Sequence, residues 1–191
     1  VNIEFEGKNL EKMDGKEKKI IKKDIQIVFQ DPYSSLNPRK TIGSMIEEPM
    51  EVFNLYKKSE RKEQVVRLLC EVGLNEEYYD RYPHELSGGQ RQRIGIARAL
   101  SLNPKMIILD ESVSALDVSV QAQVLNLLND LKHNYNFTYI FISHDLSVVK
   151  YMSDRILVMK SGEIVESGFA DEVYNTPKTP YTKTLIDSIA R

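Results

Sequence analysis

The chain has 191 residues, with 26 Lys+Arg against 28 Asp+Glu and a formal net charge of −2. That length can bury a sizeable core, and 41% hydrophobic with 28% charged residues is a globular composition. Near-neutral charge gives no overall attraction to nucleic acid or anionic membranes, and no apolar run reaches the roughly 18 residues of a membrane span. One cysteine, Cys70, excludes an internal disulfide and a Cys-cluster metal site. It sits among Val65, Val66, Leu68, Leu69 and Val72, so a buried thiol is expected. No signal peptide is recognisable, which fits a reducing cytoplasm. The first residue is Val, a hint that the chain begins inside a longer protein.

Asn2 to Glu6 alternates polar and apolar before Gly7, as a half-buried strand ending in a turn does. Lys16 to Lys23 is a basic patch that reads as a solvated helix or turn, with phosphate or nucleic-acid contact as the alternative. Ile25 to Phe29 is a second strand, and Pro32 to Arg39 a Ser-, Asn- and Pro-rich loop. From Thr41 to about Leu100 the pattern is helical. Ser59 is the expected N-cap of a helix running to Val72, with Gly73 beyond it. Another helix runs from near Ser87 through Ile94, Ala97 and Leu100. Met106 to Leu109 is a continuous apolar run of the buried parallel-strand kind. Ser119 opens a helix with Val120, Val124, Leu127, Leu128 and Leu131 at helical spacing. Tyr139 to Ile142 reads as another buried strand. A short helix after Asp145, strands at Arg155–Met159 and Glu163–Glu166 around a Ser161-Gly162 turn, and helices at Asp171–Tyr174 and Tyr181–Ile189 complete the chain. The whole describes an α/β core with a helical lobe inserted between Gln30 and Asn103.

Several residues are placed for chemistry. Asp110 and Glu111 end a buried strand, the edge where open parallel sheets bind ligands. An Asp there can hold Mg2+ and a neighbouring Glu can polarise water. Two acids ending a strand in solvent is the plainer alternative. Ser87-Gly88-Gly89-Gln90 opens a helix, whose free N–H groups and bare backbone suit an anion. A simple glycine turn capped by Ser87 would look the same. His144 and Gln30 each follow a strand on the same edge, whereas His84 and His133 read as surface or packing residues.

Together these elements resemble the nucleotide-binding subunit of an ABC transporter, across essentially the whole chain. Val28-Phe29-Gln30-Asp31-Pro32 resembles the Q-loop, and Leu86-Ser87-Gly88-Gly89-Gln90-Arg91-Gln92-Arg93 the signature sequence. Met106 to Glu111 is similar to the Walker B strand, Ser114-Ala115-Leu116-Asp117 to the D-loop, and Ser143-His144-Asp145 to the switch-histidine region. Phe29 to Arg39, Val113 to Gln123 and the tail Thr179-Pro180-Tyr181-Thr182 narrow the resemblance to dipeptide and oligopeptide importers, with nickel importers sharing much of the pattern.

The resemblance implies a P-loop NTPase-like ABC ATPase core with an inserted helical subdomain. Its divisions would be 1–40 (core with Q-loop), 41–102 (helical signature subdomain), 103–168 (core with Walker B, D-loop and switch histidine) and 169–191 (helical tail). It implies ATP and Mg2+ as cofactors. Asp110 would hold the metal, Glu111 act on the hydrolytic water, His144 contact the γ-phosphate, and Gln30 sense phosphate, metal or water. Ser87, Gly88 and Gly89 would touch the γ-phosphate of an ATP held by a partner subunit, with Gln90 in the same cofactor-binding set, and Asp117 would work across the interface. Expected partners are a second ABC ATPase subunit and membrane permease subunits, not nucleic acid. The expected location is peripheral, on the cytoplasmic face of the plasma membrane.

No G-x-x-x-x-G-K-[ST] occurs in the sequence; its Gly-Lys pairs, Gly7-Lys8 and Gly15-Lys16, lack the upstream glycine. The resemblance therefore predicts a core incomplete at its N-terminus, without the P-loop strand and helix. Such a chain alone would neither bind ATP tightly nor hydrolyse it. It should expose apolar surface at Ile107, Leu109, Ile140 and Ile142, and self-associate. Ser112 stands where the peptide-importer branch usually has Pro. The alternatives are a naturally truncated partner that regulates an intact ABC ATPase, and a soluble ABC-type ATPase acting on DNA or ribosomes.

Overall fold

The computed structural model describes residues 2–31 and 35–189, with the side chain of Ile189 excepted. Pro32, Tyr33 and Ser34 of the expected loop lie outside the described residues. The chain divides into two compact units, Val1–Ile140 and Phe141–Arg191.

The first unit starts with a hairpin. β1 (Glu4–Phe5) pairs antiparallel with β2 (Lys8–Asn9) across Glu6 and Gly7. Both turn residues have positive φ, 49° and 74°, as a two-residue hairpin turn requires. Asp14 then caps α1 (Gly15–Asp24) by accepting the Glu17 N–H at 2.8 Å, so the basic patch is a helix. α1 runs directly into β3 (Ile25–Val28).

The inserted lobe follows as α2 (Ile42–Val52), α3 (Lys58–Glu71) and α4 (Gly88–Leu100), with single 3-10 turns at Glu76–Asp80 and Pro83–Glu85. Its interior is closed to solvent. Ile42, Ile46, Val65, Leu69, Val72, Ile94 and Ala97 have no accessible surface. Gly43 lets α2 meet the 3-10 turn, since a Cβ there would lie 2.5 Å from the Tyr79 ring. Arg93 of α4 donates to the Val72 carbonyl at 2.7 Å, a cation satisfying the C-terminal end of α3.

Two expectations fail on α3. Its N-cap is Lys57, not Ser59, because the Glu60 carboxylate accepts the Lys57 N–H at 3.1 Å and fixes the first turn two residues earlier. Cys70 is exposed, not buried. The buried stripe is Val65, Leu68, Leu69 and Val72, and Cys70 is turned about 100° away from Leu69.

β4 (Met106–Asp110) lies parallel to β3, with Ile25 opposite Met106 and Val28 opposite Leu109. α5 (Val118–Tyr135) is capped by Asp117, one residue before the expected start. β5 (Thr138–Ile142) completes a sheet of order β3-β4-β5. One sheet face is packed: Val28, Ile107 and Leu109 are at most 4% exposed. The other is open, with Ile27 47%, Phe29 54% and Ile140 44% exposed. Burial in β4 and β5 alternates. Ile107 and Leu109 are covered, against the expectation that they are exposed, whereas Ile140 and Ile142 face solvent as expected, so Tyr139 to Ile142 is not a buried strand.

The second unit holds α6 (Leu146–Met152), the antiparallel hairpin β6 (Arg155–Lys160) and β7 (Glu163–Phe169), α7 (Ala170–Asn175) and α8 (Pro180–Ile189). Ser161 and Gly162, at φ 50° and 85°, make the turn. Val149, Ile156, Val158, Ala170 and Val173 form its core, with Tyr181 and Leu185 of α8 against it.

Candidate functional site

The register of β3 and β4 builds the site. Because Val28 sits opposite Leu109, the residues two positions further on, Gln30 and Glu111, emerge together at the strands' C-terminal ends. Gln30 Nε2 donates to Glu111 Oε2 at 2.8 Å. Glu111 has φ 44°, in the left-handed region that a long side chain seldom enters. A turn holds it there: Ser114 donates to the Glu111 carbonyl through both its N–H, at 3.1 Å, and its Oγ, at 2.8 Å. The same Oγ lies 3.5 Å from Gln30 Nε2. Ser114 is thus a site residue that residue type alone missed, and its position three residues after Glu111 is the signal for such a turn.

Asp110 ends β4 half-buried. Ser112 is buried and its hydroxyl has no partner among the described residues. Among those residues no group of three His, Cys, Asp or Glu side chains could hold a metal. The Asp110 carboxylate and the Gln30 amide oxygen are hard oxygen donors, however. That set fits Mg2+, which keeps most of its shell as water and substrate oxygens.

The glycine-opened helix is capped reciprocally. Ser87 Oγ accepts the Gln90 N–H at 3.3 Å, and Gln90 Oε1 accepts the Ser87 N–H at 2.9 Å. Gln90 Nε2 donates to the Tyr78 hydroxyl at 2.9 Å, a partner the sequence reading did not single out. Gly88 and Gly89 differ in role. A Cβ on Gly89 would fall 2.4 Å from Val120 Cγ1, so this glycine is needed for α4 and α5 to meet. Gly88 is exposed, its built Cβ touching only Leu116 at 3.7 Å, and leaves its backbone open. Asp117 caps α5 through the Val120 N–H at 3.0 Å. The segments around Gly88-Gly89 and Leu116-Val120 are therefore packed neighbours.

His144 belongs to the second unit, exposed on the loop between β5 and α6. Beside it Asp145 caps α6, accepting the Ser147 and Val148 N–H groups at 2.9 and 3.3 Å.

A parallel α/β core with Asp and Glu at a strand end, a Gln facing the Glu, and a helical insert carrying a glycine-opened helix define an ATP-binding cassette domain. Residues 2–114 match the ABC transporter family, and the chain belongs to it. It is similar to oligopeptide transport ATP-binding protein AppF of Bacillus subtilis (strain 168), 54% identical over 188 residues, covering 98% of this chain and 57% of that protein. Dipeptide transport ATP-binding protein DppF of Escherichia coli (strain K12) is 50% identical over 187 residues, covering 98% and 56%. Among solved structures, cbiO1 from Clostridium perfringens, part of the ABC transporter complex cbiONQ, superposes with a TM-score of 0.80 at 29% identity. That superposition covers 91% of this chain and 67% of cbiO1. The chain spans a little over half the length of the curated relatives it matches. No helix among the described residues is long and apolar enough to cross a membrane.

Proposed function

We propose that these residues work in an ATP-binding subunit that couples ATP hydrolysis to the import of dipeptides or oligopeptides. The observation that carries this is the 2.8 Å bond from Gln30 to Glu111, two residues 81 positions apart joined at the ligand-binding edge of a parallel sheet. Similarity to peptide-transport ATP-binding proteins over 98% of the chain supports the cargo class.

In this reading Glu111 orients the attacking water and takes up its proton. Gln30 holds the carboxylate until substrate arrives, so the bond must open for the carboxylate to meet water. Asp110 and the Gln30 amide oxygen are the groups that would hold Mg2+, which neutralises charge on the transferred phosphoryl. His144 contacts the γ-phosphate. Ser87, Gly88, Gly89 and Gln90 face an ATP held by a second ATPase subunit, and Asp117 acts across that interface. Because Asp117 caps α5 and Gly89 packs on Val120, closing of the interface is passed straight to α4 and α5.

The four-part division at residues 40, 102 and 168 belongs to this proposal, with permease subunits as further partners and the cytoplasmic membrane face as the location. The 191 residues contain no G-x-x-x-x-G-K-[ST] cradle. We expect them alone to show no micromolar affinity for MgATP by calorimetry, and to self-associate through the open sheet face. The function is tested by carrying Glu111→Gln in the gene. Peptide uptake should be lost while the protein level is kept; undiminished uptake overturns the reading, and loss of nickel uptake instead would reassign the cargo.

A further inference from the structure

The catalytic reading leaves α1 unused. This ten-residue helix carries five lysines, Lys16, Lys18, Lys19, Lys22 and Lys23, and two acids. Both acids are already engaged by cations outside the helix: Glu17 pairs with Lys8 at 2.9 Å, and buried Asp24 pairs with Lys105 at 3.2 Å. None of the five lysines makes an ion pair among the described residues; Lys19 alone has a charged-group contact, its Nζ 5.7 Å from the Phe53 ring. Lys16, Lys19 and Lys23 follow one another at i+3 and i+4, so like charges stack along one face, an arrangement that opposes the helix. Ile20 borders that face, about 40° round the helix from Lys16, and is 59% exposed.

We propose that α1 is a contact surface for anionic phospholipid. A helix of about 15 Å with a lysine-rich face and an apolar tip fits the boundary between headgroups and acyl chains. Its charge would be attracted to an acidic leaflet even though the chain as a whole is near neutral. The exposed Ile20 is what separates this from nucleic-acid binding: it has a place among acyl chains and none on a phosphate backbone. The helix also has no Arg to read base edges in bidentate fashion. The inference does not depend on the catalytic reading, because it rests on the chemistry of α1 alone.

The test is flotation of the 191-residue chain with vesicles of phosphatidylcholine alone or mixed with phosphatidylglycerol. Binding should require the anionic lipid and fall at high salt. Replacing Lys16, Lys19 and Lys23 together with Gln should lower the partition coefficient about tenfold or more, whereas Arg at all three should preserve it. Lys16 and Lys19 are exposed and Lys23 is half-buried, and circular dichroism confirms that the variants stay folded. Equal binding to neutral vesicles would point to the open sheet face and overturn the proposal, as would no binding or an unchanged Gln variant. Release from vesicles by duplex DNA at lower charge concentration than the lipid would assign the helix to nucleic acid instead.

Discussion

The helical lobe and the open face of the sheet use the same residue types to opposite ends. In the lobe, Ile42, Ile46 and Ile94 have no accessible surface. On the sheet, Ile27 and Ile140 keep nearly half of theirs. A parallel sheet is normally covered on both faces, and its strands are apolar on both. The strand sequences here ask for two covering layers, and among the described residues one is supplied. Apolarity in a strand therefore states a demand for burial; only packing shows whether it is met.

The contrast can be broken most directly by equal truncations in the two places. Ile46→Ala should cost about 2–5 kcal/mol, because its surroundings cannot collapse into the space. Ile140→Ala should change stability by about 0.5 kcal/mol or less, as at an open surface. Urea unfolding of the two variants checks this. A large loss at Ile140 would mean that its face is covered in solution, by self-association or otherwise.

A second variant tests how dry the lobe side is. Gln92 of α4 is 1% exposed, and neither amide atom has a partner among the described residues. It borders a cavity of about 660 Å³ that runs along the free edge of β3, from Ile25 to Phe29. An orphaned buried amide costs about 1–3 kcal/mol, so Gln92→Leu should stabilise the chain by that order. Destabilisation would show that Gln92 is satisfied by water entering from the cavity.

The second unit offers a pH-dependent comparison. Glu166 of β7 accepts the Lys178 and Thr179 N–H groups at 2.8 and 3.0 Å, just before α8. Burial pushes its carboxyl up, but bonds from Thr182, Lys178 and Thr179 outweigh burial and bring it down from 4.5 to about 2. A depressed carboxyl stabilises the fold above its unfolded value, and that stability is lost as pH falls through the folded value. The protection factors of the α8 amides should therefore fall between about pH 4.5 and 2, while those of α2 stay high over the same range. Glu166→Gln should show the lower protection already at neutral pH. Equal acid sensitivity of α2 would mean global unfolding rather than release of the tail.

Much of this organisation was legible in sequence. Helical periodicity gave α3 and α4, and the glycine pair with its flanking Ser and Gln announced the α4 cap. The parallel run gave β4. What escaped depends on tertiary register. The Gln30–Glu111 bond follows from pairing Val28 with Leu109, which no local pattern encodes. Gly89 also has a packing role that no local pattern announces, since a Cβ there would meet Val120 Cγ1 at 2.4 Å. The tail segment Thr179 to Thr182, noted only as a resemblance, caps α8: the Thr179 hydroxyl accepts the Thr182 N–H at 3.2 Å.

A buried polar group beside the candidate site gives a further test, at Ser112. It follows Glu111 directly and is 2% exposed, with its hydroxyl unpartnered among the described residues. Ser112→Ala removes the desolvated hydroxyl and leaves only an atom-sized gap, so it should stabilise the chain by about 1 kcal/mol. Because Ser114, not Ser112, holds the Glu111 carbonyl, the turn should persist. Thermal unfolding gives the sign, and amide chemical shifts at Glu111 and Ser114 report the turn. A loss of stability together with shifted amides would mean that the Ser112 hydroxyl helps to hold Glu111 in its left-handed conformation.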